Sequence, residues 1–215
     1  MALMGYYWSS QQGSNRSRNG DASAVVLRER WCFGIIADES EKHPGVAGLA
    51  AYWTQSIASA VGRFEYSPDK HQLLEVMRTV HGTLRQHFLM GRASYAGIVV
   101  DLEHCQMLYF HCGDCRVGIV GSNEPLWLTT DHTVEQTLPA LRARPQGLTL
   151  ARSLNAKRFS SADFSISNVS GRESIILATD GYVSAEEGDD VSCLKLTWES
   201  KHRCSDSECS NFFAP

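Results

Sequence analysis

The apolar positions of this chain fall into two textures. Between residues 45 and 90 they recur at helical spacing, and on either side they form short runs separated by turn residues. Val46, Leu49, Ala50, Trp53, Ile57, Ala60 and Val61 share one helical face, which predicts a helix over 45–62 stopped by Gly62. Leu73, Met77, Val80, Leu84 and Phe88 mark a second helix from Asp69 to Met90, started by Asp69 after Pro68. Upstream, the polar stretch 9–20 reads as a loop, followed by a hairpin of Ala22–Arg28 and Trp31–Ala37. Downstream, strands are expected at Tyr95–Leu102, Gln106–His111, Arg116–Val120 and Leu126–Leu128, and again at Phe164–Val169 and Ser174–Thr179. Ser192–Trp198 and Asn211–Ala214 close the series, while 131–160 is mixed and takes no assignment. A hairpin, two helices and then a β meander is an α+β order, with antiparallel strands covered by helices.

Two of these strands end in the same way. The run Trp31–Ala37 stops at Asp38, and the run Ser174–Thr179 stops at Asp180-Gly181. A carboxylate at the rim of a core is costly if it stands alone. Two of them, from distant parts of the chain, suggest a shared cation.

Composition narrows the setting. The chain has 215 residues, 43% of them hydrophobic, enough for one domain over 1–215 with a sizeable core. A net charge of −4 and the absence of a basic patch argue against nucleic acid as a partner. No apolar run is long enough to span a bilayer, and Met1–Trp8 lacks the basic start of a signal peptide. Cys32, Cys105 and Cys112 sit in apolar runs and read as small core residues, so a reduced, cytoplasmic setting is the simplest expectation.

Four local patterns occur in a fixed order. They are Gly13-x-x-Arg16-x-x-Asn19-x-Asp21; Ala37-Asp38 with His43 beyond it; Gly113-Asp114-Cys115-Arg116 followed by Leu128-Thr129-Thr130-Asp131-His132; and Ala178-Thr179-Asp180-Gly181. Singly each is weak, since a Gly-Asp pair after a strand is usually a turn. In this order they resemble the signatures of the metal-dependent PP2C-type serine/threonine protein phosphatases (PPM family), short bacterial members in particular. The likeness runs from Gly13 to Gly181, and 182–215 diverges.

The resemblance implies an α-β-β-α sandwich of two antiparallel sheets flanked by helices. It also implies Mn²⁺ or Mg²⁺ as cofactor, two ions and in some members a third, and hydrolysis of phosphoserine or phosphothreonine on proteins by a two-metal-activated water. The partner would be a phosphorylated protein, opposing a Ser/Thr kinase. Hard cations suit such carboxylate sites, and a metal-activated water needs little covalent chemistry from the protein. By the same resemblance Asp38 would bridge the metals, Asp180 would complete one site and Asp21 would help the other. Arg16 would hold the substrate phosphate, for which a planar guanidinium is suited. Asp114 would serve a third metal. His43 and His132 read instead as loop and turn residues.

Three departures from the family pattern stand out. Glu39 occupies the place of a glycine whose main-chain carbonyl binds metal; the carbonyl survives, glycine's freedom does not, and a carboxylate is added. The family's Asp-Asn-x-Thr-like signature on the last strand is matched, with a one-residue slip, to Cys204–Ser210, which makes Asp206 the expected ligand and Glu208 another candidate. GDSR becomes GDCR. These departures leave a second reading: a degenerate module of the same fold that binds a phosphoprotein or regulatory partner without turning it over.

Overall fold

A computed structural model describes residues 4–40, 47–121, 124–134, 150–184, 188–199, 202–205 (main chain) and 211–215. Its strands are β1 (Gly5–Gln11), β2 (Asp21–Leu27), β3 (Trp31–Glu39), β4 (Arg92–Asp101), β5 (Gln106–Cys112), β6 (Arg116–Val120) and β7 (Leu126–Trp127). They continue with β8 (Leu154–Asn155), β9 (Asp163–Asn168), β10 (Ser174–Ala178), β11 (Val191–Thr197), β12 (His202–Ser205) and β13 (Phe212–Phe213). The described helices are α1 (Leu49–Val61), α2 (Lys70–Leu84) and α3 (Asp180–Ser184).

The strands form two sheets, ordered β12-β1-β11-β10-β6-β7 and β13-β2-β3-β4-β5-β9. Both are antiparallel except at one margin each, where β12 runs parallel to β1 and β13 parallel to β2. The α+β sandwich anticipated from the sequence is therefore present, with two parallel pairs added by the C-terminal residues. Helices α1 and α2 cover the second sheet. Against the first sheet the described helical layer is the five-residue α3.

The pleat explains why β3 reads as a continuous apolar run. Trp31, Phe33, Ile35 and Ala37 face the helices, whereas Cys32 and Ile36 face the other sheet, so both sides of the strand are buried. In β10, Ile175 and Leu177 enter the same inter-sheet core, and Ile176 and Ala178 face outward into a smaller cluster. The two runs that end in aspartate thus belong to opposite sheets.

Local departures from the expected elements have local causes. Asp69 caps α2 by a reciprocal capping box with Gln72, as its position after Pro68 suggests. The helix ends at Leu84 rather than Met90: the Gln86 and His87 amides bond carbonyls three residues back, a tightened last turn, and Arg85 turns its guanidinium to the carbonyls of Ala156 and Lys157. Phe88 still packs on Tyr52, with ring centroids 5.2 Å apart. Ser9–Gln11, read as loop, are the end of β1, paired with Val191–Cys193. Cys105 is exposed at the β4–β5 turn with φ 51, not a core residue. Cys112 and Cys115 have the spacing of a redox pair, yet Cys112 enters the core beneath the helices and Cys115 the core between the sheets.

Candidate metal centre

The candidate site lies where the ends of β3 and β10 meet the start of β2. Asp21 and Asp38 are register partners across the β2–β3 ladder. Strand alternation places both on the inter-sheet side, in phase with Val25 and Ile36. Asp180 arrives from the other sheet at the first residue of α3. Asp114 follows Gly113, whose φ of +107 and close approach to Ser94 leave no room for a side chain; a Cβ there would stand 2.3 Å from that of Ser94. Asp38, Asp114 and Asp180 each offer a carboxylate oxygen within 4.8 Å of the others.

Such crowding makes ionisation expensive. Burial and then Asp21, Asp180 and Asp114 hold the Asp38 carboxyl well above the usual carboxylate range. Burial, Asp114 and Asp189 push Asp180 up to about 6, against the pull of its bonds to Asp38 and the Gly181 amide. Asp21, 2% exposed, is pushed up to about 7 by burial, although Thr179 and Ser192 hydrogen-bond it. Its Oδ2 accepts from the Thr179 hydroxyl at 3.1 Å, while its Oδ1 is buried without a partner. An all-oxygen donor set, mutual repulsion and one orphaned buried carboxylate oxygen together fit a divalent cation.

Two further acids complete the picture, and sequence reading had missed both. Asp189-Asp190-Val191-Ser192 opens β11. It is an acidic pair followed two residues later by a hydroxyl, similar to the Asp-Asn-x-Thr signature expected near Ser210. The signal was present: an acidic pair directly before an anticipated strand and soon after Asp180. Asp189 stands close enough to raise the carboxyl pKa values of both Asp38 and Asp180. Its Oδ1 accepts from Arg16 Nε at 2.8 Å, with Arg16 Nη2 as a second donor. Asp206 lies outside the described residues, as do His43 and Glu208.

Asp190 has a different task. Its two oxygens accept from the amides of Gly13 (2.8 Å) and Gly20 (2.7 Å), clamping both ends of the loop that carries Arg16. The loop sits so tightly that a Cβ on Gly13 would come within 2.3 Å of the Asp189 carbonyl carbon. Asn15 N–H adds a bond to the Gly188 carbonyl. Arg16 is thereby brought to the carboxylate cluster, although twenty-odd residues of sequence separate it from Asp38 and far more from Asp189.

Glu39 does not add a carboxylate to the centre. It follows Asp38 in an extended strand, so its side chain points to the opposite face, toward α1. There it is 4% exposed, accepts from Arg18 at 2.8 Å and from the Ala50 amide at 3.4 Å, and also meets the amides of Gly48 and Leu49. Gly48 supplies no side-chain cap to α1; Glu39 fulfils that function from another strand. The extended backbone at 39 also means that the loss of glycine imposes no strain.

The turn after β5 is braced from outside. Arg116 makes a two-pronged pair with Asp131 at 2.8 and 2.6 Å. His132 Nδ1 accepts from the Gly113 amide, and its Nε2 bonds Asp163 at 2.9 Å. His132 therefore supports the turn bearing Asp114, as its reading as a turn residue anticipated.

No protein-family model matches the chain, and no curated protein matches it in sequence. Its fold, however, is that of the PP2C-type (PPM) phosphatases. A serine/threonine phosphatase from S. agalactiae superposes with a TM-score of 0.76 at 14% identity, over 91% of this chain and 100% of that one. The serine/threonine phosphatase from Staphylococcus aureus gives 0.74 at 15% identity, over 92% and 96%. A PPM Ser-Thr phosphatase from Mycobacterium smegmatis, solved with cacodylate, gives 0.73 at 14%, over 92% and 99%. At these identities the likeness establishes the fold. No described helix is long and apolar enough to cross a membrane.

Proposed function

We propose that this protein is a Mn²⁺- or Mg²⁺-dependent phosphatase that hydrolyses phosphoserine or phosphothreonine on protein substrates, opposing a Ser/Thr kinase. The observation that carries the reading is the convergence of Asp38, Asp114 and Asp180 from three separate strand ends beside the partnerless Asp21 oxygen. Asp38 would be the ligand common to two ions, Asp180 and Asp189 would complete one position, and the Glu39 carbonyl with Asp21 would serve the other. Asp114 would provide for a further, weaker ion. Asp189 takes the role first assigned to Asp206. Bound there, the ions supply Lewis-acid activation of water and neutralise phosphoryl charge.

The chain's own residues do the rest. Arg16 carries the planar donor fork that matches phosphate. Its guanidinium now pairs with Asp189 and would turn to the substrate's oxygens where Asp189 serves a cation. Asp190 holds the Arg16 loop in place through Gly13 and Gly20. Thr179 and Ser192 fix the rotamer of Asp21 so that Oδ1 remains available.

Phosphopeptide hydrolysis with Mn²⁺, followed by addition of EDTA, tests the proposal. Turnover should appear with metal, vanish with chelator and be absent in Asp38→Ala. Full metal-dependent turnover by Asp38→Ala would refute the assignment. Mn²⁺ binding without hydrolysis would point to the degenerate binding module instead.

A further inference from the structure

The C-terminal residues make contacts that the proposed chemistry has not used. Strand β13 pairs with β2 in register Phe212↔Ser23 and Phe213↔Ala24, on the strand that begins at Asp21. Phe212 packs its ring on those of Tyr6 and Trp8, with centroids 5.0 and 6.0 Å away. Immediately before it, Asn211 spends its side chain on the interior. Its Oδ1 accepts from Trp8 Nε1 at 3.2 Å. Its Nδ2 donates to Ser10 Oγ and to the Asp21 main-chain carbonyl, each at 2.9 Å.

Counting donors and acceptors gives these bonds a direction. Ser10 Oγ receives amide hydrogens from Asn211 and from Asn19 Nδ2 at 2.7 Å, which fill both of its lone pairs. Its own hydrogen must then go to Ser192 Oγ, 2.8 Å away. Ser192, now an acceptor from Ser10, keeps its hydrogen for the nearby Asp21 carboxylate, and its amide donates at 3.2 Å to Thr179 Oγ1, the hydroxyl that itself donates to Asp21 Oδ2 at 3.1 Å. Two carboxamides from distant parts of the chain thus orient two hydroxyls in series, and the series ends on Asp21.

We propose that Asn211 is a positioning residue for the metal centre: by filling the second lone pair of Ser10 and holding the Asp21 carbonyl, it sets the direction of the Ser10–Ser192 hydroxyl relay and with it the orientation of the Asp21 carboxylate. The proposal rests on the reading of Asp21 as part of a metal centre. Groups that orient ligands from behind typically matter about 10- to 100-fold in metal affinity, and a change of this size is expected here.

The test is Mn²⁺ titration calorimetry on the full chain, with thermal unfolding in EDTA as a folding control. Asn211→Ala should bind Mn²⁺ about 10- to 100-fold more weakly than the wild type. Asn211→Asp, which keeps the shape and the acceptor for Trp8 but removes the amide donor, should show the same loss and guards against misfolding of the alanine variant. In a Ser192→Ala background the Asn211 substitution should cost less than in the wild type, because the relay is already cut and only the bond to the Asp21 carbonyl remains to be lost. Unchanged Mn²⁺ affinity in both Asn211 variants overturns the proposal. So does an equal loss with and without Ser192, which would mark a general structural role. If the wild type itself binds no Mn²⁺, the metal-centre reading falls first and the positioning role falls with it.

Discussion

Replacing Asp21 by asparagine should stabilise the protein when divalent metal is removed. Asp21 is fully enclosed, faces Asp190 and Asp180, and keeps one oxygen without a partner. Its carboxyl is raised from 3.8 to about 7. The folded form therefore holds a proton up to about pH 7, whereas the unfolded chain releases it above 3.8. The associated stability is complete below 3.8 and is lost as pH rises through about 7. At about 1.36 kcal/mol per pKa unit, the loss approaches about 4 kcal/mol by pH 8 and stays below about 2 kcal/mol at pH 5. An asparagine escapes this penalty but must place a buried amide, at a cost of about 1–3 kcal/mol. A net gain of roughly 2 kcal/mol at pH 8 remains, equivalent to about 4–8 °C in a domain of this size. Thermal unfolding in EDTA at pH 8 and pH 5 measures it. With Mn²⁺ present the order should reverse, since the wild type gains binding energy that Asp21→Asn lacks. A lower stability of Asp21→Asn than of the wild type in EDTA at pH 8, or the same effect at both pH values, would show that a raised Asp21 carboxyl does not govern stability.

Glu39→Ala strips the start of α1 and Arg18 of their shared carboxylate. It should destabilise the fold by about 1–3 kcal/mol in urea denaturation and leave Mn²⁺ affinity nearly unchanged, because the carboxylate faces away from the centre. Gly13→Ala drives a Cβ against the Asp189 backbone at 2.3 Å, where ordinary contact begins at 3.4 Å. The Arg16 loop must then shift by roughly 1 Å, a misplacement that can cost about 100-fold in rate; kcat/KM for a phosphopeptide reports it.

The local sequence was enough to determine most of the scaffold. Helical spacing located α1 and α2, and the apolar runs located β3 and β10, because those patterns record burial on one or both sides of an element. The abrupt stops at Asp38 and Asp180 were legible for the same reason, and the order of the glycine-aspartate patterns brought in Arg16, Asp21 and Asp114. The alternation of β3 even held the answer to Glu39: neighbours in a strand point to opposite faces, so it could not share the centre with Asp38 through its side chain. Tertiary structure alone decided the partners. Asp189 and Asp190 look like an ordinary acidic turn until the β10–β11 connection folds back onto Gly13 and Gly20, 170 or more residues away. Asn211 is an unremarkable polar residue until β13 is laid beside β2. Such roles come from contacts between residues far apart in the chain, where no local periodicity can record which side chain a carboxylate will meet.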